Sequence, residues 1–453
     1  MPGFTSVRSG SAKPTAPSVP YRVGRLLSKV IDDIGVLMRR RQAIATLSAL
    51  AASVAFTGCQ SASGGGGSSG GVTHLSYFSW DTQPLMQPLI SKFEQDNPNI
   101  KIDFSFAPPQ VEYNATLQKR LLAGTAADVY MIDGENRTAL IDNHRVTDLT
   151  GKPFMANIQN GGHGNGYDAN GRVYGMNVSS SGNGLIVNKA LAQSVGMTRP
   201  PQTWAEFLDL CRKLKEKGVA PVEESLNGNV SPILAALVGA SFSHQNGDVD
   251  AAIFSGKATF EAQWTQPLKT YNELYTNGYA SNTNVSLDSA QMVDQFVNGR
   301  VAMIVTGPEQ VAPIHKAAPN LKFEYMAIPG PNGALYYAGS SSASYAINPK
   351  AGAPGAAAKW LTFLSSRQGA KMYNEQLNAI TTTTDYQPNV DPAIQTMAQG
   401  IRKGNTYWPV IGWKRDQQGL SNALIAMQQQ MALGQLSPMR VAQGLDQTLA
   451  QLG

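Results

Sequence analysis

The chain has 453 residues, 42% of them hydrophobic, and a formal net charge of +5. The positive surplus belongs to residues 1–58, which hold eight Lys or Arg and two Asp, so that 28 basic and 29 acidic side chains remain from residue 59 onward. This near-neutral remainder argues against a nucleic-acid-binding function, which requires clustered Lys and Arg. The length is sufficient for a large core and predicts more than one domain.

The first predicted element is an export leader. Arginines at 39–41 precede an apolar stretch over 43–56, which is shorter than the ~20 residues of a spanning helix and is typical of a cleaved signal peptide. The segment that ends in Cys59 resembles the lipobox of bacterial lipoproteins, which implies acylation of Cys59 and a lipid anchor on the extracytoplasmic side of the membrane.

Three assignments follow for the N-terminal part of the chain. We expect residues 1–37 to be a misassigned extension, because Met38 opens a complete leader, although Met1 stays open as the true start. Residues 38–58 are the expected lipoprotein signal peptide, and 59–72 are the expected Gly/Ser tether. The adjacent arginines leave open whether export uses the general secretory or the twin-arginine route.

Predicted strands and helices alternate from residue 74. We expect strands at 74–80, 100–106 and 128–133, and helices at 84–97 and 113–123. This alternation predicts an α/β domain with a mostly parallel sheet, whose ligand crevice lies at the carboxyl ends of the strands. That rule selects Trp80, Asp81, Asp133 and Gly134 as candidate site residues.

The middle of the chain is more helical. Apolar spacing predicts helices at 204–217, 232–240, 266–276 and 289–296, and strands at 301–305, 323–328 and 336–347. Thr203 is an expected N-cap, Trp204 an expected scaffold residue, and Cys211 an expected buried hydrophobe on the apolar face of the same helix. With Cys59 acylated, no disulfide can form within the domain.

Four segments in this order resemble the sugar-binding, maltose-binding-protein-like group of the extracellular solute-binding proteins of ABC importers. They are FEQDNPNIKI at 93–102, LLAGTAADV at 121–129, GLIVNK at 184–189 followed by GMTRPPQTW at 196–204, and FVNGRVAMI at 296–304 followed by Gly307-Pro308. Ala127 replaces the proline that is usual in the family.

The resemblance implies an α/β, two-lobed periplasmic-binding-protein fold with three hinge crossovers and a ligand cleft between the lobes. The crossovers are expected near 179–183, 327–329 and 377–383. Lobe one is then 73–180 plus 330–376, and lobe two is 182–326 plus 384–453.

A sugar site needs aromatic rings for the C–H faces of the ligand and polar side chains for its hydroxyls, in a mostly apolar pocket. The predicted ligand-binding residues are Trp80, Asp81, Asp133, Asn183, Trp264, Glu309, Gly339, Ser340, Ser341, Trp413 and Arg415. The Gly339–Ser342 patch is expected to face the cleft from lobe one. Trp264 and Trp408 fit core packing as well as ligand stacking, whereas Trp413→Ala or Asp81→Ala is expected to weaken binding without unfolding.

Enzymatic interpretations find little support in the sequence. The five histidines show no metal-binding spacing, Gly66–Gly70 matches GxSxG only inside the tether, and Gly162–Gly166 lacks the strand and the lysine of a phosphate-binding loop. Asp81, Asp133 and Glu309 leave open a membrane-anchored glycoside hydrolase. We predict no catalytic residue, no metal and no cofactor.

The expected function is the capture of a di- or oligosaccharide by hinge closure and its delivery to the transmembrane subunits of an ABC permease. The expected protein is a monomer without a nucleic-acid partner. Alternative ligands for the same scaffold are a glycerophosphodiester, for which Arg415 would serve, a polyol, or a polyamine, for which Asp81, Asp133 and Glu309 would serve.

Overall fold

The computed structural model describes residues 71–108, 110–159, 166–168, 171–342, 344–377 and 379–452. The N-terminal extension, the signal peptide, Cys59 and all of the tether except its last two residues lie outside the described residues. Their assignments therefore stay predictions.

The strands are numbered along the chain. They are β1 Thr73–Ser79, β2 Ile100–Phe106, β3 Val129–Ile132, β4 Ser179–Asn188, β5 Ala220–Glu223, β6 Val301–Thr306, β7 Phe323–Met326, β8 Ile328–Pro329, β9 Leu335–Ser341, β10 Ser344–Ile347, β11 Ile380–Thr381 and β12 Thr406–Tyr407.

The helices fill the intervals between these strands. They are α1 Gln83–Asp96, α2 Gln110–Ala123, α3 Arg137–Asp142, α4 Lys189–Gln193, α5 Trp204–Glu216, α6 Pro232–Phe242, α7 Val249–Phe254, α8 Phe260–Thr276, α9 Ser289–Val297, α10 Val311–Ala317, α11 Pro354–Ser365, α12 Arg367–Leu377, α13 Gln395–Arg402, α14 Pro409–Gly412, α15 Gln417–Ala432 and α16 Pro438–Leu452. Short 3₁₀ turns occur at Pro153–Asn157, Asn282–Val285, Pro308–Gln310 and Pro392–Ile394.

Lobe one is built on a sheet that, in the described residues, has the strand order β10-β3-β1-β2. β1 is parallel to both β2 and β3, whereas β10 is antiparallel to β3. Its core packs the sheet against α1, α2, α11 and α12 around Phe93, Tyr113 and Trp360. Because β1 and β3 are parallel, the residues that follow Ser79 and Ile132 meet at one edge of the sheet.

Lobe two is built on a larger sheet with the order β12-β9-β4-β6-β5 and with β7, β8 and β11 attached to its side. The ten-residue strand β4 is central, since its first half pairs with β9 and its second half with β6 and β7. Successive side chains of a strand point to opposite faces, so Leu185 and Val187 enter one core cluster and Ile186 enters the other.

Helix α5 shows how local sequence positions these layers. The Thr203 side chain accepts a hydrogen bond from the Glu206 N–H at 3.2 Å, which confirms the predicted N-cap. Trp204 is buried, and its Nε1 donates to Glu273 Oε2 at 2.8 Å, so that it holds α5 against α8. Cys211 is fully buried in the same core, as predicted, and burial raises the pKa of its thiol.

One predicted lobe boundary needs correction. The sequence analysis placed 330–376 in lobe one, but β9 pairs with β4 and β12 in the sheet of lobe two, and only β10 joins the sheet of lobe one. The chain therefore passes from the sheet of lobe two to that of lobe one after β9, rather than at 327–329. The other proposed boundaries remain predictions. None of the helices in the described ranges is long and apolar enough to cross a bilayer.

Candidate functional site

A cavity of about 830 Å³ lies between the two sheets. Its walls come from the ends of β1 and β3 in lobe one and from β4, β9, the turn after β6 and α14 in lobe two. The volume falls within the range of roughly 300–1,000 Å³ that is usual for small-molecule sites. The cavity is the candidate functional site.

Asp133 follows β3 directly and is only 4% exposed. Its Oδ1 accepts the backbone N–H groups of Glu135 at 2.8 Å and Asn136 at 3.0 Å, and its Oδ2 accepts the Asn114 Nδ2 at 3.0 Å. These bonds close a tight turn at the strand end and fix the carboxylate in one orientation at the cavity wall.

Glu135 extends from the same turn and is exposed at the cavity wall. Asn114 Nδ2 also lies 3.2 Å from Glu135 Oε2, so one amide holds both carboxylates. Burial, followed by the neighbouring charge of Asp133, raises the pKa of Glu135. The turn after β3 therefore presents two adjacent hydrogen-bond acceptors to the cavity.

Asp81 stands at the end of β1, on the same edge of the sheet. Its backbone N–H donates to Ser79 Oγ at 2.9 Å, and Ser79 Oγ lies 3.4 Å from Asp81 Oδ2. Burial raises the pKa of Asp81 to about 6, and the hydrogen bond from Ser79 opposes that shift. A ligand hydroxyl that donates to this carboxylate would replace the hydrogen bonds to water that burial removes.

Two half-buried indoles face the cavity from opposite lobes. Trp80 is held edge-on against Tyr113, with the ring centroids 5.4 Å apart and the planes at 83°. Trp408 precedes α14 in lobe two and also lines the cavity. Exposed indole faces on two sides of a cleft are suited to stacking on apolar ligand faces.

The strand pair β4 and β9 forms a wall of small residues, from Ser179 to Asn183 and from Ala338 to Ser340. A Cβ atom at Gly339 would lie 2.2 Å from the Ser181 carbonyl oxygen and 2.5 Å from the Gly182 Cα atom. Glycine is therefore needed where the two backbones meet. The absence of large side chains here leaves the cavity wide.

Glu309 is the carboxylate that lobe two contributes. Its Oε1 accepts the Thr306 hydroxyl at 3.0 Å and the Gly307 N–H at 3.2 Å. The Tyr325 hydroxyl donates to the Gly307 carbonyl at 2.6 Å, which anchors this turn to β7. Glu309 is thus fixed by its own loop, as Asp133 is on the opposite wall.

A hydrogen bond between the lobes closes one edge of the cavity. Arg137 at the start of α3 is 4% exposed, and its Nη2 donates to the Ile411 carbonyl in α14 at 3.0 Å. Burial lowers the pKa of Arg137, while the charges of Asp133 and Asp248 raise it. The contact joins the segment that carries Trp408 and Val410 to lobe one.

The structure brings seven of the predicted site residues to the cavity wall. They are Trp80, Asp81, Asp133, Asn183, Glu309, Gly339 and Ser340. Gly339 and Ser340 reach it from lobe two, because β9 belongs to that sheet, and not from lobe one as expected. Their roles in binding stay predictions.

Four predicted residues do not lie in the cavity wall. Trp264 and Trp413 have no exposed surface and pack against each other and Phe260 in the core of lobe two. Ser341 is buried, because its side chain points away from the face that Ser340 presents. Arg415 is exposed and lies outside the cavity lining. The expected stacking roles of Trp264 and Trp413 are therefore corrected to core packing.

Several lining residues were absent from the predicted set. Glu135 lies two residues after Asp133 in the turn already singled out, and Trp408 was compatible with either role. Tyr373 and Leu377 come from α12, whose amphipathic pattern contains no signal that distinguishes the cavity from the core. Only the packing of α12 against β11, which pairs with β4, brings them to the site.

The cavity wall carries one sign of charge. Asp81, Asp133, Glu135 and Glu309 line it, and among the lining residues within the described ranges there is no Lys, Arg or His. In that same part of the chain, no three His, Cys, Asp or Glu side chains are grouped closely enough to hold a metal ion. The site is arranged to accept hydrogen bonds from a neutral or cationic ligand.

Residues 79–371 match the family model described as bacterial extracellular solute-binding protein. A binding protein of Brucella abortus (strain 2308) is 26% identical over 268 residues, a match that covers 57% of this chain and 63% of that protein. The chain thus spans less than two thirds of the length of this relative. The multiple sugar-binding protein of Streptococcus mutans is 26% identical over 156 residues, or 32% of this chain and 35% of that one.

Solved structures extend the likeness to both lobes. A family 1 extracellular solute-binding protein from Bifidobacterium longum subsp. infantis has a TM-score of 0.78 at 25% identity, over 84% of this chain and 100% of that one. RafE from Streptococcus pneumoniae has a TM-score of 0.72 at 19% identity in its apo form, over 85% and 99% of the two chains. In complex with raffinose, RafE has a TM-score of 0.62 at 18% identity, over 84% and 100%. The predicted two-lobed α/β fold is confirmed.

Proposed function

Because this chain belongs to the bacterial extracellular solute-binding protein family, we propose that it captures a carbohydrate and delivers it to the permease of an ABC importer. The observation that carries the proposal is the cavity between the lobes, where Trp80 and Trp408 stand beside Asp81, Asp133 and Glu309. Indoles offer flat apolar surfaces for sugar rings, and carboxylates accept hydrogen bonds from their hydroxyls.

The ligand class is a di- or oligosaccharide. The cavity volume of about 830 Å³ gives room for more than one sugar ring. RafE, which binds raffinose, and the multiple sugar-binding protein of Streptococcus mutans support this class of ligand.

Capture would proceed by hinge closure. Both lobes contribute carboxylates to the cavity, Asp81 and Asp133 from lobe one and Glu309 from lobe two. A ligand that first contacts Asp81 and Asp133 on lobe one would then stabilise the closed state through lobe two.

The cellular setting is inferred from family and sequence together. The family is extracellular, so the protein works outside the cytoplasm. We propose that acylated Cys59 anchors it to the membrane and that the Gly/Ser tether allows the lobes to reach the permease.

A polyamine is the second candidate ligand, because the lining carries four carboxylates and, in the residues that the structure describes, no basic side chain. A cleft of one charge sign concentrates counter-ions. The same wall disfavours a glycerophosphodiester, and Arg415, which would have bound the phosphate, lies outside the lining. A glycoside hydrolase remains the candidate of another class, with Asp81, Asp133 and Glu309 as its acidic groups.

A thermal-shift screen of the purified protein tests the proposal. A ligand that binds only the folded state stabilises it by about 2.7 kcal/mol at a concentration 100 times its Kd. We expect neutral di- or oligosaccharides to raise the melting temperature, and chromatography after incubation to recover them intact. A shift with polyamines or phosphodiesters alone would overturn the carbohydrate ligand, and cleaved sugar would overturn the transport function.

A further inference from the structure

A second cavity of about 420 Å³ adjoins the first. Glu135 and Val410 line both cavities, so they form the boundary between them. The remaining walls of the second cavity come from Asp416 and from the beginning of α15 up to Ser421. This volume is much larger than the ~30 Å³ of a water molecule and is large enough for a ligand group.

The second cavity differs from the first in its chemistry. Its walls bear the carboxylates of Glu135 and Asp416, the amides of Gln417 and Gln418, and the Ser421 hydroxyl, with no aromatic side chain among the described residues that line it. Gln417 Nε2 donates to the Trp413 carbonyl at 3.1 Å, which fixes this side chain to the core of lobe two. Such a wall offers donors and acceptors of hydrogen bonds but no stacking surface.

The boundary residues come from different lobes. Glu135 extends from lobe one, where Asn114 holds its carboxylate, and Val410 lies in α14 of lobe two. Close to both residues, Arg137 Nη2 donates to the Ile411 carbonyl at 3.0 Å, so a hydrogen bond between the lobes lies beside this boundary. A ligand that occupied both cavities would therefore pass between the lobes at a defined point.

We propose that the second cavity is a further subsite for an elongated carbohydrate, so that the ligand is an oligosaccharide of at least three units whose outer unit binds beside Gln418 and Ser421. This inference rests on the proposed function and adds the length of the ligand and the residues that select it. Because the outer unit is held by hydrogen bonds alone, the second cavity contributes discrimination by length rather than most of the affinity.

Isothermal titration with a di-, tri- and tetrasaccharide series of one linkage tests the subsite. Two variants alter the second cavity: Gln418→Ala removes an exposed amide, and Ser421→Phe fills the space. Ala426→Phe is the matched control, because Ala426 is exposed on the same helix and lies outside both cavities. Melting temperatures of all variants check that they remain folded.

We expect the wild-type affinity to rise about tenfold from disaccharide to tetrasaccharide. Ser421→Phe should remove that gain while changing the disaccharide Kd less than twofold, and Gln418→Ala should remove part of it. Equal effects on short and long sugars, or no gain with length in the wild type, would overturn the subsite and leave the proposed function intact. Failure of every sugar in the series to bind the wild type would overturn the proposed function itself.

Discussion

The two walls of the cavity are built on different principles. In lobe one, Asp81 and Asp133 stand at the carboxyl ends of parallel strands, where side-chain and backbone hydrogen bonds orient them. In lobe two, the wall is the length of two antiparallel strands with small side chains, bordered by Trp408. The wall of lobe one thus presents oriented carboxylates, whereas most of the wall of lobe two is small side chains that leave space, with Glu309 and Trp408 at its borders.

The difference shows where substitutions should affect binding and where they should affect folding. Carboxylates at strand ends can be changed without disturbing the ladder of the sheet. Small residues along β4 and β9 belong to that ladder, and the core tryptophans behind lobe two belong to its packing. Four substitutions test this division.

Trp413→Ala should have the largest effect, a loss of about 3–5 kcal/mol in the free energy of unfolding. Trp413 has no exposed surface, and its ring centroid lies 6.1 Å from that of Trp264. Truncation of the Trp413 side chain therefore leaves a cavity in the core. Denaturant titration followed by circular dichroism measures the loss. A variant with unchanged stability and weakened sugar binding would restore the original prediction that Trp413 contacts the ligand.

Gly339→Ala should cost about 1–3 kcal/mol of stability, because the added Cβ would overlap the backbone of β4. Gly355→Ala is the matched control, since a Cβ there meets no atom within 4 Å. The same denaturant titration compares both variants. A Gly339→Ala variant as stable as the Gly355→Ala control would contradict this expectation, because it would mean that β4 and β9 can move apart to make room for the added Cβ atom.

Trp408→Ala should weaken sugar binding by about 2 kcal/mol, or roughly 30-fold in Kd, and leave stability nearly unchanged. Trp408 is half-buried at the cavity, whereas Trp413 is enclosed. Titration calorimetry gives the Kd, and thermal melting gives the control. A large drop in melting temperature with an unaltered Kd would assign Trp408 to the scaffold.

Asp81 should make binding depend on pH. The ionised carboxylate is the better acceptor for sugar hydroxyls, so affinity should fall by up to about tenfold between pH 7 and pH 5, through the pKa of about 6. The ligand-free protein should respond in the opposite sense. Its folded-state pKa exceeds the ordinary 3.8, so this residue contributes more stability as the pH falls from 7 to 4.

Asp81→Asn removes the titration of this carboxyl group and should make both profiles less steep. Calorimetry and thermal melting across this pH range measure them. Profiles that remained as steep as those of the wild type would assign the pH dependence to another group.

Much of the fold could be predicted from local sequence. Strand β2 occurs at the predicted residues, and the bounds of β1, α1 and α5 differ from prediction by at most one residue at each end. The rule for parallel strands also brought Trp80, Asp81 and Asp133 together, because it depends only on strand direction and order.

Other features depended on contacts between distant residues. The neighbouring Arg415 suggested a polar, solvated border for Trp413, but Phe260 and Trp264 of α8 pack against the indole in the core of lobe two. The segment 336–347 was predicted as one interrupted strand, and nothing in its composition shows that its two halves join different sheets. Local patterns determine which residues form a strand. The strand with which it pairs depends on contacts with distant parts of the chain.

The antiparallel strand β10 also determines when lobe one can be completed during synthesis. The Gly352 N–H donates to Asp128 Oδ1 at 2.6 Å across 224 residues of sequence, most of which belong to lobe two. Until that late segment emerges, β3 has an unpaired edge, which is a template for association with other chains. Closing so long a loop is slow because its entropy must be lost before the contact forms. Completion of lobe one is therefore a late folding event, and a nascent chain that ends before β10 carries an aggregation-prone edge.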